Sequence, residues 1–353
     1  MPLTSLSEID NDVNRVPWTR RRSAAARGNA VLVIGLNQTI DRTVRLDSLA
    51  PGEVLRATDV AVTPGGKAVN VCRAAATLGV PARLVGPFPG ELGRFATGML
   101  AAEHLDVTAV PVDGEIRGTT VILEQSGRAT VINEPGPPLD ATEWRRVLDA
   151  VAAELRPGSI VAISGSSPPG APADAHRRLI ELVRARGGFV AVDVAGDSLL
   201  VAARAGADLL SPNLAEAEAA VAGSTARNGH RRGETVEAGG DDSGGAVAAR
   251  AEAAAAALVG AGARAAVVSA GSHGAAFHAS TGTAGFVDAP SVDVVNPIGA
   301  GDALLGAMLV AIEQRRSLSS AVHAGVAYAA ASVAHPTAGC ADPALVARLG
   351  ATA

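Results

Sequence analysis

The sequence predicts an α/β protein: a mostly parallel sheet covered by helices on both faces, with a small β-sheet set apart from it. Three observations carry that prediction. Apolar, β-rich runs alternate with helix-period stretches along most of the chain, and this alternation builds parallel strands joined by crossover helices. The runs are continuously apolar, as strands covered on both faces are. Two other stretches alternate apolar and polar residues, the pattern of strands with one face in water.

Taken in order, residues 1–28 mix charge, Ser and Asn around a lone Trp18 with no sustained period. That composition predicts a flexible extension ahead of one domain spanning 29–353. "AVLVIGL" reads as the first buried strand. The twin arginines before it suggest an export signal, but the apolar run is short, β-branched and followed by "NQTIDR" instead of a small-residue cleavage site. Residues 42–63 carry the first period-2 stretch, expected as antiparallel strands of the small sheet. "KAVNVCRAAATLG" follows as a helix, "RLVGPF" as a strand and "ELGRFATGMLAAEHL" as a helix. Residues 115–134 supply the second half of the small sheet. "SIVAISG", "FVAVDVAG" and "ADLLSPN" are strands, with the helix "PADAHRRLIELVRARG" after the first of them. Residues 223–246 are polar and Gly-rich with no apolar period, and are expected as a flexible insertion. After the strand "RAAVVSAG", the strand-like run "VDVVN" leads through small residues into the helix "DALLGAML".

Composition excludes several roles. With 353 residues of which 48% are hydrophobic, the chain can bury a large core, but aromatics are only 2%, so stacking platforms for bases are almost absent. The net charge of −5 also argues against a nucleic-acid partner. The longest apolar stretches, such as 303–312, are too short for a bilayer, so no membrane role is expected. Cys72 and Cys340 stand far apart without C-x-x-C spacing. They indicate neither a disulfide framework nor a zinc site, and fit a reducing cytoplasm.

Three glycine-rich turns bear on chemistry. No G-x-x-x-x-G-K-[ST] occurs, which disfavours a Walker-type site. Gly260, Gly262 and Ala265 satisfy G-x-G-x-x-[GA], but they follow a helix pattern and precede a strand, the reverse of the order a dinucleotide site needs. "NPIGAGDALLGAML" has the right order for an anion site: small residues, then an acid, then a helix. Backbone N–H groups of Gly299, Ala300 and Gly301 could hold a transferred phosphoryl while Asp302 accepts a hydroxyl proton. On spacing alone Asp302 could equally be a helix cap. In "TPGGKAVN", Gly65 and Gly66 permit close backbone approach, Lys67 adds a cation, and the Asn70 amide can reach sugar hydroxyls. An ordinary glycine loop before a helix reads the same way.

Together these segments resemble the PfkB (ribokinase-type) carbohydrate kinases, in particular the branch containing 1-phosphofructokinase and tagatose-6-phosphate kinase. The resemblance covers about residues 30–345, with "NQTID", "GGKAVN", "INEPGP", "SGSSPPG", "SPNLAEAE", "VVSAGSHGA" and "NPIGAGD" in family order. It implies a ribokinase-like sandwich whose period-2 segments form a lid that closes on the sugar and pairs two subunits into a homodimer. It implies Asp302 as the base and Gly299, Ala300 and Gly301 as the anion hole. Asp41, Gly65, Gly66 and Asn70 are implied as sugar contacts, and Lys67 and Arg117 as cations for a phosphate on that sugar. Ser164 and Gly165 stand where "SIVAISG" ends, the strand edge at which ligands bind. The implied cofactors are ATP and Mg²⁺. Asn213 and Glu216 form the N-x-x-E motif serving the magnesium-phosphate assembly through water, and Asn213, Ser269, Gly271 and Gly274 hold the nucleotide. Ser211 departs from the pattern, because Lys usually precedes "PN"; so do Ala68 and Cys72, where Gly and Ala are usual.

The expected activity is Mg-dependent transfer of phosphate from ATP to a ketohexose phosphate, such as fructose 1-phosphate, fructose 6-phosphate or tagatose 6-phosphate. One alternative is a kinase of the same fold acting on an unphosphorylated sugar or nucleoside, against which Lys67 and Arg117 argue. Another is a non-catalytic sugar-phosphate sensor, against which Asp302 and its anion hole argue.

Overall fold

The computed structural model describes residues 30–225 and 244–351. The expected extension, 1–28, and residues 226–243 of the expected insertion lie outside the described residues.

The chain runs β1 (Val31–Ile34), β2 (Thr39–Leu46), β3 (Asp59–Gly65), α1 (Lys67–Thr77), β4 (Ala82–Pro87), α2 (Gly90–Ala102), β5 (Asp106–Val110), β6 (Arg117–Glu124), β7 (Ala129–Asn133) and α3 (Ala141–Glu154). It continues through β8 (Ile160–Ser164), α4 (Ala175–Ala185), β9 (Phe189–Asp193), α5 (Asp197–Arg204), β10 (Leu209–Leu210), α6 (Leu214–Thr225) and α7 (Gly244–Gly260). Last come β11 (Ala265–Ser269), β12 (Gly274–Ala279), β13 (Ala284–Asp288), α8 (Ala300–Glu313), α9 (Leu318–Val333) and α10 (Pro343–Ala351). Among the described residues the main sheet has nine strands in the order β13-β12-β11-β10-β9-β8-β1-β4-β5. It is parallel from β5 to β11, while β12 and β13 close one edge antiparallel. That edge hairpin is short and Ala-rich, and its sequence gave no clear period.

Each central strand feeds two cores, because successive side chains point to opposite faces. Val31 and Val33 join one apolar cluster while Leu32 and Ile34 join the other; Ala162 is likewise separated from Val161 and Ile163. Helices α1, α2, α8 and α9 cover the first face, and α3 to α7 the second. The α1–α8 crossing is close enough to require glycine: a Cβ on Gly306 would lie 2.6 Å from Ala74 Cβ and 2.8 Å from the Val71 carbonyl. Through this contact Asn70 of α1 reaches Asp302 of α8.

The smaller sheet is separate, as expected, and runs β3-β2-β6-β7. Its pairing corrects one expectation. β2–β3 and β6–β7 are antiparallel, but β2 and β6 run parallel. The two halves come from distant segments, so no tight turn constrains their relative direction. Two further corrections concern loops. "VDVVN" forms no strand, and Val294 and Val295 are exposed; Val292 and Val294 line a cleft instead of pairing. Residues 223–225 and 244–246, assigned to the insertion, are the ends of α6 and α7. No helix among the described residues is long and apolar enough to cross a membrane.

Candidate functional site

Helix α8 begins at a left-handed Gly299, φ 82°, which acts as N-cap without any side-chain cap. Asp302 therefore does not cap the helix. It is only 6% exposed and accepts a 2.8 Å hydrogen bond from Asn70 Nδ2. Burial, reinforced by the nearby Asp193 carboxylate, raises its pKa to about 7, opposed by Lys67 and by the Asn70 bond. A carboxyl that titrates near neutrality can accept a proton and release it again at working pH. The first turn is open on the other side, since Gly301 is exposed and a Cβ there would meet nothing within 4 Å. Unpaired N–H groups and the positive helix end thus face free space.

Lys67 opens α1 directly after Gly66, whose φ of 98° suits glycine. Its ammonium donates to Asp193 Oδ1 at 3.2 Å and to Glu216 Oε1 at 3.3 Å. Ser164 donates to the other Asp193 oxygen at 3.2 Å, and the Gly165 N–H donates to the Asp193 carbonyl at 3.0 Å. One cation therefore faces three buried carboxylates, Asp193, Glu216 and Asp302, and all three hold the lysine firmly protonated. Asp193 is a site residue the sequence reading missed. Its signal was present, as an acid closing the all-apolar strand "FVAVD" beside Ser164 at the C-terminal edge of a parallel sheet.

Asn213 and Glu216 bond reciprocally, the Glu216 N–H to Asn213 Oδ1 at 2.8 Å and the Asn213 N–H to Glu216 Oε2 at 3.0 Å. The N-x-x-E spacing is thus a capping box for α6. Among the described residues no group of three or more His, Cys, Asp or Glu is arranged to hold a metal.

On the other side stands Asp41 of β2, in register with Thr63 and Thr119. Burial lifts its pKa to about 6, against the pull of Arg73 and Arg117, and its Oδ1 is buried with no hydrogen-bond partner. A buried acceptor without a donor is costly, so a donor supplied by a ligand would be favoured there. Gly65 makes room for it: a Cβ at that position would lie 2.0 Å from Asp41 Cγ.

Asn70 is engaged at both ends of its amide: Nδ2 donates to Asp302 and Oδ1 accepts from Arg73 at 3.4 Å, which leaves one further N–H and one lone pair for another partner. Lys67 and Arg117 make different contacts. Lys67 is tied to the carboxylates, whereas Arg117 Nε donates to the Asn37 carbonyl and its terminal nitrogen to the Glu134 carbonyl, each at 3.1 Å.

Beside the α8 N-terminus opens a cleft of ≈ 590 Å³, a size that suits a small-molecule ligand. Asn213, Ser269, Gly271 and Gly274, all expected on the nucleotide, line it together with Ala300 and Gly301. Its apolar wall includes Val292, Val326 and Val333. The α9 residues gave no signal in the sequence, because a helix packed on both sides reads as core. Among the described residues no charged side chain lines the cleft, and neither does Ser211. Among the described residues, a polyanion there would find its charge partners at the α8 terminus and at the Lys67 cluster.

Comparison with known proteins shows what the chain is similar to. The profile of the pfkB family carbohydrate kinases matches residues 29–344. ATP-dependent 6-phosphofructokinase isozyme 2 of Escherichia coli is 30% identical over 304 residues, covering 86% of this chain and 92% of the relative. The 1-phosphofructokinase of Bacillus subtilis is 26% identical over 298 residues, covering 84% and 90%. Among solved structures, phosphofructokinase-2 from E. coli in complex with fructose-6-phosphate superposes with a TM-score of 0.78 at 28% identity, over 92% of this chain and 99% of that one.

Proposed function

This chain belongs to the pfkB family of carbohydrate kinases, and we propose that it transfers the terminal phosphoryl group of ATP to a hydroxyl of a ketohexose phosphate. One observation carries the reading: a buried carboxyl titrating near neutrality stands in the first turn of a helix whose open N–H groups face a nucleotide-sized cleft. The E. coli and B. subtilis relatives, both named as phosphofructokinases, support the substrate class. Fructose 1-phosphate, fructose 6-phosphate and tagatose 6-phosphate are the candidate acceptors.

In this mechanism ATP occupies the cleft, its base against Val292, Val326 and Val333. Its phosphates run along Asn213, Ser269, Gly271 and Gly274 to the α8 terminus. The acceptor lies between Asp41, Gly65, Gly66 and the Ser164–Gly165 edge, with Arg117 beside its phosphate. Asp302 takes the hydroxyl proton as the sugar oxygen bonds to the γ-phosphorus and the bond to the β-phosphate oxygen breaks. The N–H groups of Gly299 to Gly301 and the Lys67 ammonium stabilise charge on the moving phosphoryl. Closure of the small sheet excludes water from the transfer.

The donor set fits Mg²⁺ bound through water, not by direct ligation. Glu216 and Asn213 already hold each other, yet three carboxylates against one ammonium leave excess negative charge where a triphosphate must land. Asp193 and Glu216 would hold such an ion through its water shell, and it would supply the positive charge that offsets theirs.

The outer face of the lid supports a homodimer. Strand register puts Val44, Val60, Val62, Ile122 and Ile132 on one face, opposite to that of Asp41, Thr63 and Thr119. Val60, Val62 and Ile132 are exposed, although burying a valine or isoleucine is worth about 1.5–3 kcal/mol. Placing Asp at both Val62 and Ile132 is expected to convert a dimer to a monomer in sedimentation. A parent that sediments as a monomer would overturn this element. A cytoplasmic setting completes the reading, with Cys72 and Cys340 both free.

The deciding assay is ADP release with Mg-ATP across the three ketohexose phosphates, fructose, ribose and a nucleoside. Turnover confined to a phosphosugar is the expected result, and turnover only with neutral acceptors would refute the substrate class. The pH profile of kcat/KM should fall on the acid side with an apparent pKa near 7, because Asp302 must be ionised to accept a proton.

A further inference from the structure

Arg73 is a buried cation that phosphoryl transfer leaves without a role. It lies on α1 one turn after Asn70 and is 4% exposed. Its guanidinium grips the Glu103 carboxylate with two bonds of 2.7 and 2.8 Å. The same group donates to the Pro64 carbonyl of β3 at 2.9 Å and to Asn70 Oδ1 at 3.4 Å. One side chain thus joins the end of α2, a lid strand and the residue that touches Asp302.

Asn70 has little freedom in this setting. A Cβ on Gly299 would lie 2.9 Å from its Nδ2, and one on Gly339 would lie 2.7 Å from its Cα. The motion left to it is an end-for-end flip of the amide, whose two states fill the same volume. Only the partners at each end distinguish them. With Nδ2 toward Asp302 the amide offers a donor, which suits an ionised carboxylate. After a flip it offers an acceptor, which suits a protonated carboxyl. Because Asp302 exists in both forms near neutrality, it does not by itself fix the flip state. Arg73 does, because a flipped amide would set its N–H groups against the guanidinium donors.

We infer that Arg73 is a positioning residue: by holding Asn70 Oδ1 it keeps Nδ2 on Asp302, and so keeps Asp302 in its proton-accepting form. The inference rests on the proposed function in taking Asp302 as the base. Other charges face the same carboxyl. Asp193 and Glu216 favour its protonation, and Lys67 opposes it. Arg73 also acts on Asp41, Cys72 and Cys340, where it favours the ionised forms. Through Pro64, the position of the lid strand and the state of the base share one guanidinium.

The test compares Arg73→Met, Asn70→Ala and their combination, measuring kcat and KM against pH with folding monitored by thermal melting. In Arg73→Met the acid limb of kcat should move up by about half a unit to one unit, a ~3–10-fold loss below the limb, with most turnover regained above it. In the Asn70→Ala background, Arg73→Met should change kcat little further, because its effect passes through the amide. Glu103→Gln, at a half-exposed partner, should move the limb less and in the same direction, and it carries the test should Arg73→Met not fold. A limb unmoved in every folded variant, or losses that simply multiply in the double variant, would overturn the inference. If Asp302→Asn turned over normally, the fault would lie instead in the assignment of the base.

Discussion

Asp302→Asn is expected to lower kcat by about 10²–10⁴-fold, the usual range for loss of a general base, with KM changed little. The carboxamide matches the carboxylate in shape, its oxygen can still accept from Asn70 Nδ2, and the α8 terminus does not depend on Asp302 for capping. The fold should therefore survive. Its pH dependence gives a second readout. Asp302 has a folded pKa raised by burial from the ordinary carboxylate range to about 7. Its contribution to stability is fully present below the unfolded value and is lost as pH rises through the folded one. A neutral carboxamide does not suffer that loss. The variant should match or exceed the parent in Tm at pH values above that folded pKa, with the difference shrinking toward acid pH. Initial rates and melting curves at two pH values check both halves. Normal turnover would remove Asp302 from the mechanism, and a collapse of Tm would mean that it serves packing.

Much of this site was legible because its parts punctuate the sequence. Glycine pairs before helices and an acid after "GAG" announce strained turns and a charge at a helix start, and such features are local. The buried strands were equally plain, since a parallel strand covered on both faces must be continuously apolar. What stayed hidden depends on contacts between distant segments. Asn70 looked free until the α1–α8 crossing at Gly306 set it against Asp302. Asp193 sat at the end of a strand like any other polar residue until register placed it beside Ser164 and Lys67. N-x-x-E read as a ligand motif, and its oxygens turned out to be engaged in a capping box. The parallel pairing of β2 with β6 had no local signal either, because the period-2 pattern reports which face is wet and not the direction of the neighbouring strand.

Lys67→Met should cost stability as well as turnover, because it removes a catalytic charge and a structural tie together. Removing one preorganised donor to a developing charge typically lowers kcat by about 10²–10³-fold, and a comparable loss is expected here. Stability should fall as well. The Asp193 and Glu216 side chains are only 5% and 7% exposed, and without the ammonium they would face each other and Asp302 uncompensated. Lys67 has a folded pKa raised above its ordinary value, so its contribution is present throughout the working range and is lost only on the alkaline side. Removing it should therefore destabilise at neutral pH. The damage should lessen on acidification, because Glu216 and Asp302 already titrate above the usual carboxylate range and protonation relieves their repulsion. Lys67→Arg separates the two effects: a guanidinium keeps the charge and should retain most of the Tm, but its planar fork cannot reproduce a compact ammonium between two carboxylates and a phosphoryl, so kcat should stay low. A Met variant with normal kcat and a lowered Tm would reduce Lys67 to a structural tie and leave the α8 terminus as the anion hole by itself.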